Sequence, residues 1–257
     1  MAITKKTGTQ RMKLGILTPS RQRPGRLDSF IRSVHTFASN KNRVYTCSYI
    51  DNDDPRIEAY KSYYDQRSLF KNDFICTGPP QSVSKSWNIL IEKVTELDID
   101  VVIMGNDDML YRTNNWDVLL EKEIEKYPDQ IYCMWFEDMI NGPNHCAFPI
   151  VSYKWIKTLG YYTPGHLPFK FLYNDTWIFD LGKRVNRCHF IPNVVNEHLH
   201  FTVNKSSVDE TTKRNRGAQG FDARIDDKSL FEQTVINREQ DAKKLQNVID
   251  EYKCHNN

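Results

Sequence analysis

The sequence has no apolar run approaching the roughly 18 to 20 residues that a membrane-spanning helix needs. Its start, Met1 to Lys13, is polar and lacks the apolar stretch of a secretory signal. Neither a membrane span nor export is expected, and the compartment this implies is the cytoplasm. No two of the six cysteines stand in C-x-x-C spacing, so neither a zinc site nor a redox couple is signalled. Cys47, Cys76 and Cys133 instead sit in apolar runs, as reduced thiols filling space would. Glycine is sparse near the first apolar run, where Gly15 and Gly25 stand alone, so a glycine-rich phosphate loop is missing. Hydrophobic residues at 39% and aromatics at 12% are nevertheless enough for a substantial core, which excludes whole-chain disorder.

Charge is balanced overall but not locally. The net charge is +2, yet the first 44 residues hold ten Lys or Arg against the single acid Asp28, a local +9 that leaves −7 for the rest. Such asymmetry points to an anionic partner, either a nucleotide diphosphate or a nucleic-acid backbone. A solvated basic tail is the plainer alternative.

Periodicity organises the first half of the chain. Short apolar runs at Leu14–Pro19, Val44–Ile50, Phe74–Cys76, Asp100–Met104 and Ile131–Phe136 read as buried strands. Helical spacing covers Leu27–Phe37, Ser82–Leu97 with Ser82 or Ser84 as cap, and Trp116–Lys126. Strands alternating with helices imply an α/β fold, a doubly wound and mostly parallel sheet flanked by helices. Ligands of such sheets sit at the carboxyl ends of the strands. Three of those ends carry polar groups: Arg21 and Arg23, Asp51 to Asp54, and Asn106 to Asp108. Beyond residue 136 the pattern is less regular. Ser206–Asp222 reads as a mobile polar loop. Ile225–Tyr252 reads as one C-terminal helix that packs on the domain, with self-association into a homo-oligomer as its second use.

The most specific signal is Val101-Val-Ile-Met-Gly-Asn-Asp-Asp108. Adjacent carboxylates at a strand end are costly unless something cationic lies against them, and a divalent ion carrying a diphosphate meets that need. Here the chain resembles the GT-A fold glycosyltransferases, especially their large family-2-like group, whose D-x-D motif follows a buried strand. Asn106-Asp107-Asp108 is an x-D-D form of that motif. The resemblance spans Leu14 to Asp209 and rests on the order of several motifs. It implies that Asp108 binds Mn²⁺ or Mg²⁺ and that Asp107 meets the ribose or sugar. It also implies that Thr18 and Pro19 frame the base, that Arg21 lies near the diphosphate, and that Asp51, or failing it Asp53, contacts the nucleotide. Lys85 would be the basic residue of the helix start.

Further along, Ala147 to Tyr161 resembles the acceptor-side segment of that group, and Tyr173-Asn-Asp-Thr176 its acidic helix start. The resemblance gives Asp175 the role of general base in an inverting transfer, against a plain helix cap. Val195-Asn-Glu-His-Leu-His-Phe201 offers His198 and His200, which face the same way if the segment is extended. One of them would be the second protein ligand of the metal, against a structural pair. The following loop, with Lys205, Lys213, Arg214 and Arg216, would close over the diphosphate.

The whole is thus expected to be one GT-A-like domain over 1–257. Residues 14–136 would form the nucleotide-sugar half, 137–222 the acceptor and catalytic half, and 223–257 the C-terminal helix. The implied reaction moves a sugar, UDP-linked in this reading, to an acceptor hydroxyl by metal-dependent, inverting hexosyl or pentosyl transfer. The acceptor stays open between a hydroxylated base in bacteriophage DNA, modified in the host cytoplasm, and a polysaccharide, protein or small molecule. Two rivals remain: a nucleotidyltransferase, which the missing glycine-rich loop disfavours, and a non-catalytic nucleic-acid-binding protein, which leaves the acidic motif and the histidines unexplained.

Overall fold

The computed structural model describes residues 11–65, 71–214, 216–217 and 220–256. Strand β1 (Leu14–Ser20) leads through helix α1 (Pro24–Phe37) to β2 (Val44–Asp51), α2 (Ile57–Asp65), β3 (Asp73–Gly78), α3 (Val83–Glu96) and β4 (Val101–Met104). Then follow β5 (Met109–Tyr111), α4 (Trp116–Ile124), β6 (Cys133–Glu137), β7 (Ile150–Ser152), α5 (Tyr153–Leu159), α6 (Asn174–Arg184) and β8 (Cys188–His198). Helices α7 (Glu210–Arg214), α8 (Asp226–Gln233) and α9 (Val235–Asn256) complete the chain. The strands form one sheet in the order β3-β2-β1-β4-β7-β6-β8-β5. Pairings β2–β3, β1–β2, β1–β4 and β6–β8 are parallel, while β7 and β5 run antiparallel to their neighbours. The α/β architecture read from the sequence is therefore present.

The central strands are buried on both faces, which is why they read as unbroken apolar runs. On β4 the side chains alternate: Val101 and Ile103 enter the layer under α1, α2 and α4, whereas Val102 and Met104 enter the layer under α3, α5, α6 and α9. Burying a side chain of this size is worth about 1.5–3 kcal/mol, so these four residues hold the strand between two helix layers. Indole N–H groups tie the layers to the sheet's neighbourhood. Trp87 Nε1 donates to the carbonyl of Leu17 at 3.1 Å and Trp116 Nε1 to that of Val34 at 3.0 Å.

Three expectations are corrected. Helix α2 follows the acidic turn, where no helix was expected, because Tyr60 supplies a fully buried anchor that brings the segment down onto the first core layer. The C-terminal helix is present but divided at Thr234, whose hydroxyl donates back to the carbonyl of Leu230 at 2.7 Å. Its longer half packs Ala242, Leu245 and Ile249 into the core beside Trp177 and Leu181 of α6. The polar loop contains α7, whose start is capped by Asp209 accepting from Thr212 N and Oγ1 at 3.0 Å. Among the described residues no helix is long and apolar enough to cross a membrane.

Gly105 fixes how the end of β4 meets β1. Its amide donates to the carbonyl of Leu17 at 2.8 Å. An added Cβ would lie 2.3 Å from Thr18 Oγ1, 2.9 Å from Ile16 Cγ2 and 3.1 Å from the Leu17 carbonyl oxygen. We expect Gly105→Ala to destabilise the fold by about 1–3 kcal/mol through overpacking. Urea denaturation measures this, and an unchanged midpoint would show that β1 and β4 can move apart freely.

Candidate active site

The carboxyl ends of β1, β2 and β4 open on a cavity of about 840 Å³. That is within the range of small-molecule and cofactor sites. Its lining draws on distant parts of the chain: Pro19 near the end of β1 and Arg23 after it, Asp51 at the end of β2, Asp107 and Asp108 after β4, Asp175 of α6, and Arg216 of the late loop.

The turn after β4 brings two carboxylates together nearly out of water. Asp107 is 3% exposed and Asp108 8%. Asp107 Oδ2 accepts from Ser20 Oγ at 2.6 Å and Oδ1 from Arg23 Nη1 at 2.9 Å. Burial pushes its carboxyl up to about 6, with the Arg23 charge pulling the other way. Burial drives Asp108 upward too, but His198, with help from the Arg23 and His200 charges, holds it below the ordinary carboxylate range. His198 Nε2 lies 3.4 Å from Asp108 Oδ1. The two are within ion-pair reach but not aligned as a hydrogen bond, and Asp108 Oδ1 and both ring nitrogens of His198 are buried without a hydrogen-bond partner.

Orphaned polar atoms of this kind suit a cation. Among the described residues no three His, Cys, Asp or Glu side chains converge as a ready ligand set. Asp108 and His198 are the two side chains here that could hold an ion, one whose remaining places substrate phosphate and water would fill, as for Mg²⁺. The second histidine is placed differently from the expectation. Strand β8 stops at His198, and His200 caps a 3₁₀ turn over Phe201–Val203, its Nδ1 engaged with Thr202 Oγ1 at 2.6 Å. The two rings still lie 4.9 Å apart.

Arg23 is the cation that closes this arrangement. Besides Asp107 it grips Asp209, donating from Nε at 2.6 Å and Nη2 at 2.8 Å. The fork draws Asp209 down to about 2 although burial opposes this. Arg23 itself is placed by backbone: its N–H donates to Tyr60 Oη at 2.8 Å, the same hydroxyl that meets Ser20 Oγ at 2.8 Å. The preceding Gln22 has φ 61° and its N–H donates to Asp54 Oδ2 at 2.7 Å. Arg23, one of the basic residues of the N-terminal surplus, is therefore not free to meet a nucleic-acid backbone, because its guanidinium is occupied inside the site.

The other expected residues divide into two groups. Pro19, Arg21, Asp51, Lys85, Asp107, Asp108, Asp175, His198 and His200 line the cavity. Thr18, Asp53 and Lys205 do not. Thr18 is buried under the turn at 1% exposure. Asp53 lies outside with its side chain 52% exposed and shares Arg21 Nη1 with Asp51, at 2.5 and 2.7 Å. Lys205 is drawn away by Glu197 at 2.7 Å. Asp175 is not the cap of α6. Tyr173 holds that position in the left-handed region, and Asp175 Oδ2 instead faces His145 Nε2 at 3.0 Å. The stretch of cavity wall from Lys170 to Leu172 is held by Asp227 of α8, which is 1% exposed and accepts the N–H groups of Lys170, Phe171 and Leu172 at 2.8–3.1 Å.

Much of the basic surplus at the N-terminus is neutralised within the fold. Arg21, Arg23, Arg32 and Arg43 are paired with carboxylates, Arg43 with Asp117 and Glu121 while only 4% exposed. Lys13 Nζ donates to the carbonyl of Leu97 at 3.0 Å. Lys5 and Lys6 lie outside the described residues.

The Arg23–Asp209 fork is the tie between β1 and α7. We expect Arg23→Ala to speed amide hydrogen exchange over residues 209–214 by about tenfold or more, since hydrogen bonds to charged groups contribute about 1.5–3 kcal/mol. Exchange read by mass spectrometry checks this, and unchanged protection would mean that α7 is held by other contacts.

No protein-family model matches the sequence and no curated protein matches it. Solved structures do match the fold. A mannosyltransferase from Pyrobaculum calidifontis, in complex with GDP-Man and Mn²⁺, superposes with TM-score 0.59 at 10% identity over 79% of this chain and 59% of its own. S. aureus TarS 1–349 with UDP gives 0.56 at 10% identity over 72% and 60%. GalNAc-T7 with UDP, GalNAc and Mn²⁺ gives 0.58 at 11% identity over 75% and 45%. The chain thus spans about three fifths or less of the length of these proteins. At such identity the likeness is one of fold, and the fold of this chain is that of the GT-A glycosyltransferases.

Proposed function

We propose that the protein is a metal-dependent glycosyltransferase that moves a sugar from a nucleotide donor, UDP-linked in our reading, to an acceptor hydroxyl with inversion. The observation that carries this is the buried Asp107-Asp108 turn with its unsatisfied Asp108–His198 pair, opening on one cavity with Asp175. Support also comes from the fold, whose matched structures hold UDP or GDP-Man, two of them with Mn²⁺.

Asp108 and His198 would hold Mn²⁺ or Mg²⁺ in this reading, with His200 next to them. When bound, such an ion offsets charge developing on the leaving diphosphate. The chain's own groups do the rest. Pro19 and Asp51 border the nucleoside end, with Thr18 shaping the floor from below. Arg26, Arg214 and Arg216 line the cavity and add positive charge where the diphosphate departs. Arg21 acts through Asp51, which it orients. Lys85 stands exposed at the cavity edge near the start of α3. Asp175 takes the acceptor hydroxyl proton. Attack from the face opposite the leaving group then inverts the anomeric centre.

We expect Asp108→Ala to weaken UDP binding in the presence of Mn²⁺ at least tenfold, while leaving the much weaker metal-free binding unchanged. Isothermal titration calorimetry with and without Mn²⁺ reads this. Equal Mn²⁺ enhancement in parent and variant removes the metal assignment.

The finer acceptor reading, a hydroxylated base in bacteriophage DNA, now rests on Lys5, Lys6 and the exposed Arg11. For a DNA acceptor, duplex affinity should fall with salt by a log–log slope of about −0.9 per phosphate contact. Replacing those three with Gln should flatten the slope and spare UDP binding. Absent duplex binding at low salt would direct the search to carbohydrate or protein acceptors.

A further inference from the structure

Asp175 does not stand alone at the cavity wall. It is the second residue of α6, and its Oδ2 faces His145 Nε2 at 3.0 Å. His145 follows the 3₁₀ turn Gly142–Asn144 after β6 and is not part of the cavity lining, so Asp175 stands between it and the cavity. The imidazole is seated edge-on against Phe179, with ring centroids 5.6 Å apart, and Phe179 lies one turn further along the helix that carries Asp175. The opposite carboxylate oxygen, Oδ1, has a long contact of 3.3 Å from the hydroxyl of neighbouring Thr176. A hydroxyl can rotate away from such a contact.

We propose that His145 is a positioning residue for the transfer: it holds one oxygen of Asp175 so that the other meets the acceptor hydroxyl, and its protonation state sets how basic that oxygen is. This rests on the reading of Asp175 as the base. In the step itself the acceptor O–H proton passes to Asp175 Oδ1. The acceptor oxygen bonds to the anomeric carbon as the bond from that carbon to the diphosphate oxygen breaks, and its electron pair leaves with the nucleoside diphosphate. With Nε2 protonated, His145 donates to Oδ2 whether its ring is neutral or charged. The charged ring sets a positive charge beside the carboxylate, which the neutral ring does not.

The groups around the imidazole make Asp175 its direct partner. Asp138 acts on it through space, but its own oxygens accept from Ile140 N, Asn141 N and Asn141 Nδ2 at 2.7–2.9 Å. Lys183 also acts through space and lies over the Phe179 ring at 4.6 Å. The neighbouring Cys146 thiol is pushed up by burial and stays neutral. The hydrogen bond to Asp175 raises His145 above the ordinary histidine range, with burial opposing it. The charged pair therefore persists at pH values where a free histidine would be neutral. The ring charge is lost as pH climbs through that raised value, and the transfer rate is expected to follow it.

The test is UDP release from UDP-glucose or UDP-N-acetylglucosamine with Mn²⁺ and water as acceptor, followed across pH for the parent, His145→Gln, His145→Ala and Asp175→Asn. It is paired with NMR titration of the His145 ring. We expect the parent kcat to rise with pH through an ionisation that coincides with the His145 titration. Gln keeps a donor near Oδ2 but cannot titrate, so His145→Gln should retain the high-pH rate within about threefold and lose that ionisation. His145→Ala should lose about tenfold in kcat with donor KM unchanged. Asp175→Asn should lose about a hundredfold or more, as expected for a general base, and return the His145 titration toward ordinary values. A His145→Gln profile superimposable on the parent overturns the role of His145 alone, as does a His145 titration indifferent to Asp175→Asn. An Asp175→Asn rate within a few-fold of the parent instead overturns the reading of Asp175 on which the proposal rests.

Discussion

Two carboxylates side by side and nearly out of water, Asp107 and Asp108, are the constraint around which the rest of the site is arranged. Removing charge from water is expensive unless it is paired and hydrogen-bonded. The fold answers with Ser20 and Arg23 on Asp107 and His198 against Asp108. The first answer is complete and the second is not. Of the two carboxylates only Asp108 keeps an unsatisfied oxygen, and the two unpartnered ring nitrogens of His198 lie beside it.

Compensation for Asp107 also organises the late loop. Arg23 has too few neighbours on β1 to be held by them alone, and its fork to Asp209 crosses 186 residues of sequence. The same contact starts α7, because Asp209 caps that helix while it accepts from Arg23. A single guanidinium thereby couples the acidic turn to the segment carrying Arg214 and Arg216.

The opposite wall of the cavity has a different construction. Its stretch from Lys170 to Leu172 has no regular secondary structure to satisfy its backbone, and the buried Asp227 carboxylate takes three of its N–H groups. Asn174 is fixed from the other side by Ser84 Oγ at 2.5 Å, so the start of α6 is tied to the start of α3. The C-terminal helices thus contribute to the site without reaching it, since α8 supplies Asp227 and α9 packs behind α6.

Strands β1 and β4 were legible in the sequence because they are buried on both faces and so spell apolar runs closed by a polar turn, as Leu14–Ser20 and Val101–Met104 do. The Asn-Asp-Asp turn was legible for the same reason, since its cost shows wherever acids follow such a run. The late strand β8 was harder to read, as its register against β6 shifts between Phe136 and Glu137 and its end at His198 separates the two histidines. The partners of Arg23, Asp227 and His145 are not legible in the sequence because nothing local marks them. A lone Arg, Asp or His looks the same in sequence whether it is solvated or pinned. What the sequence determined by itself was the alternation of elements and the acidic turn, both set by short-range burial patterns. Which cation meets which carboxylate was decided by tertiary structure alone, because those pairs form only when strand ends far apart in the chain are packed into one low-dielectric crevice.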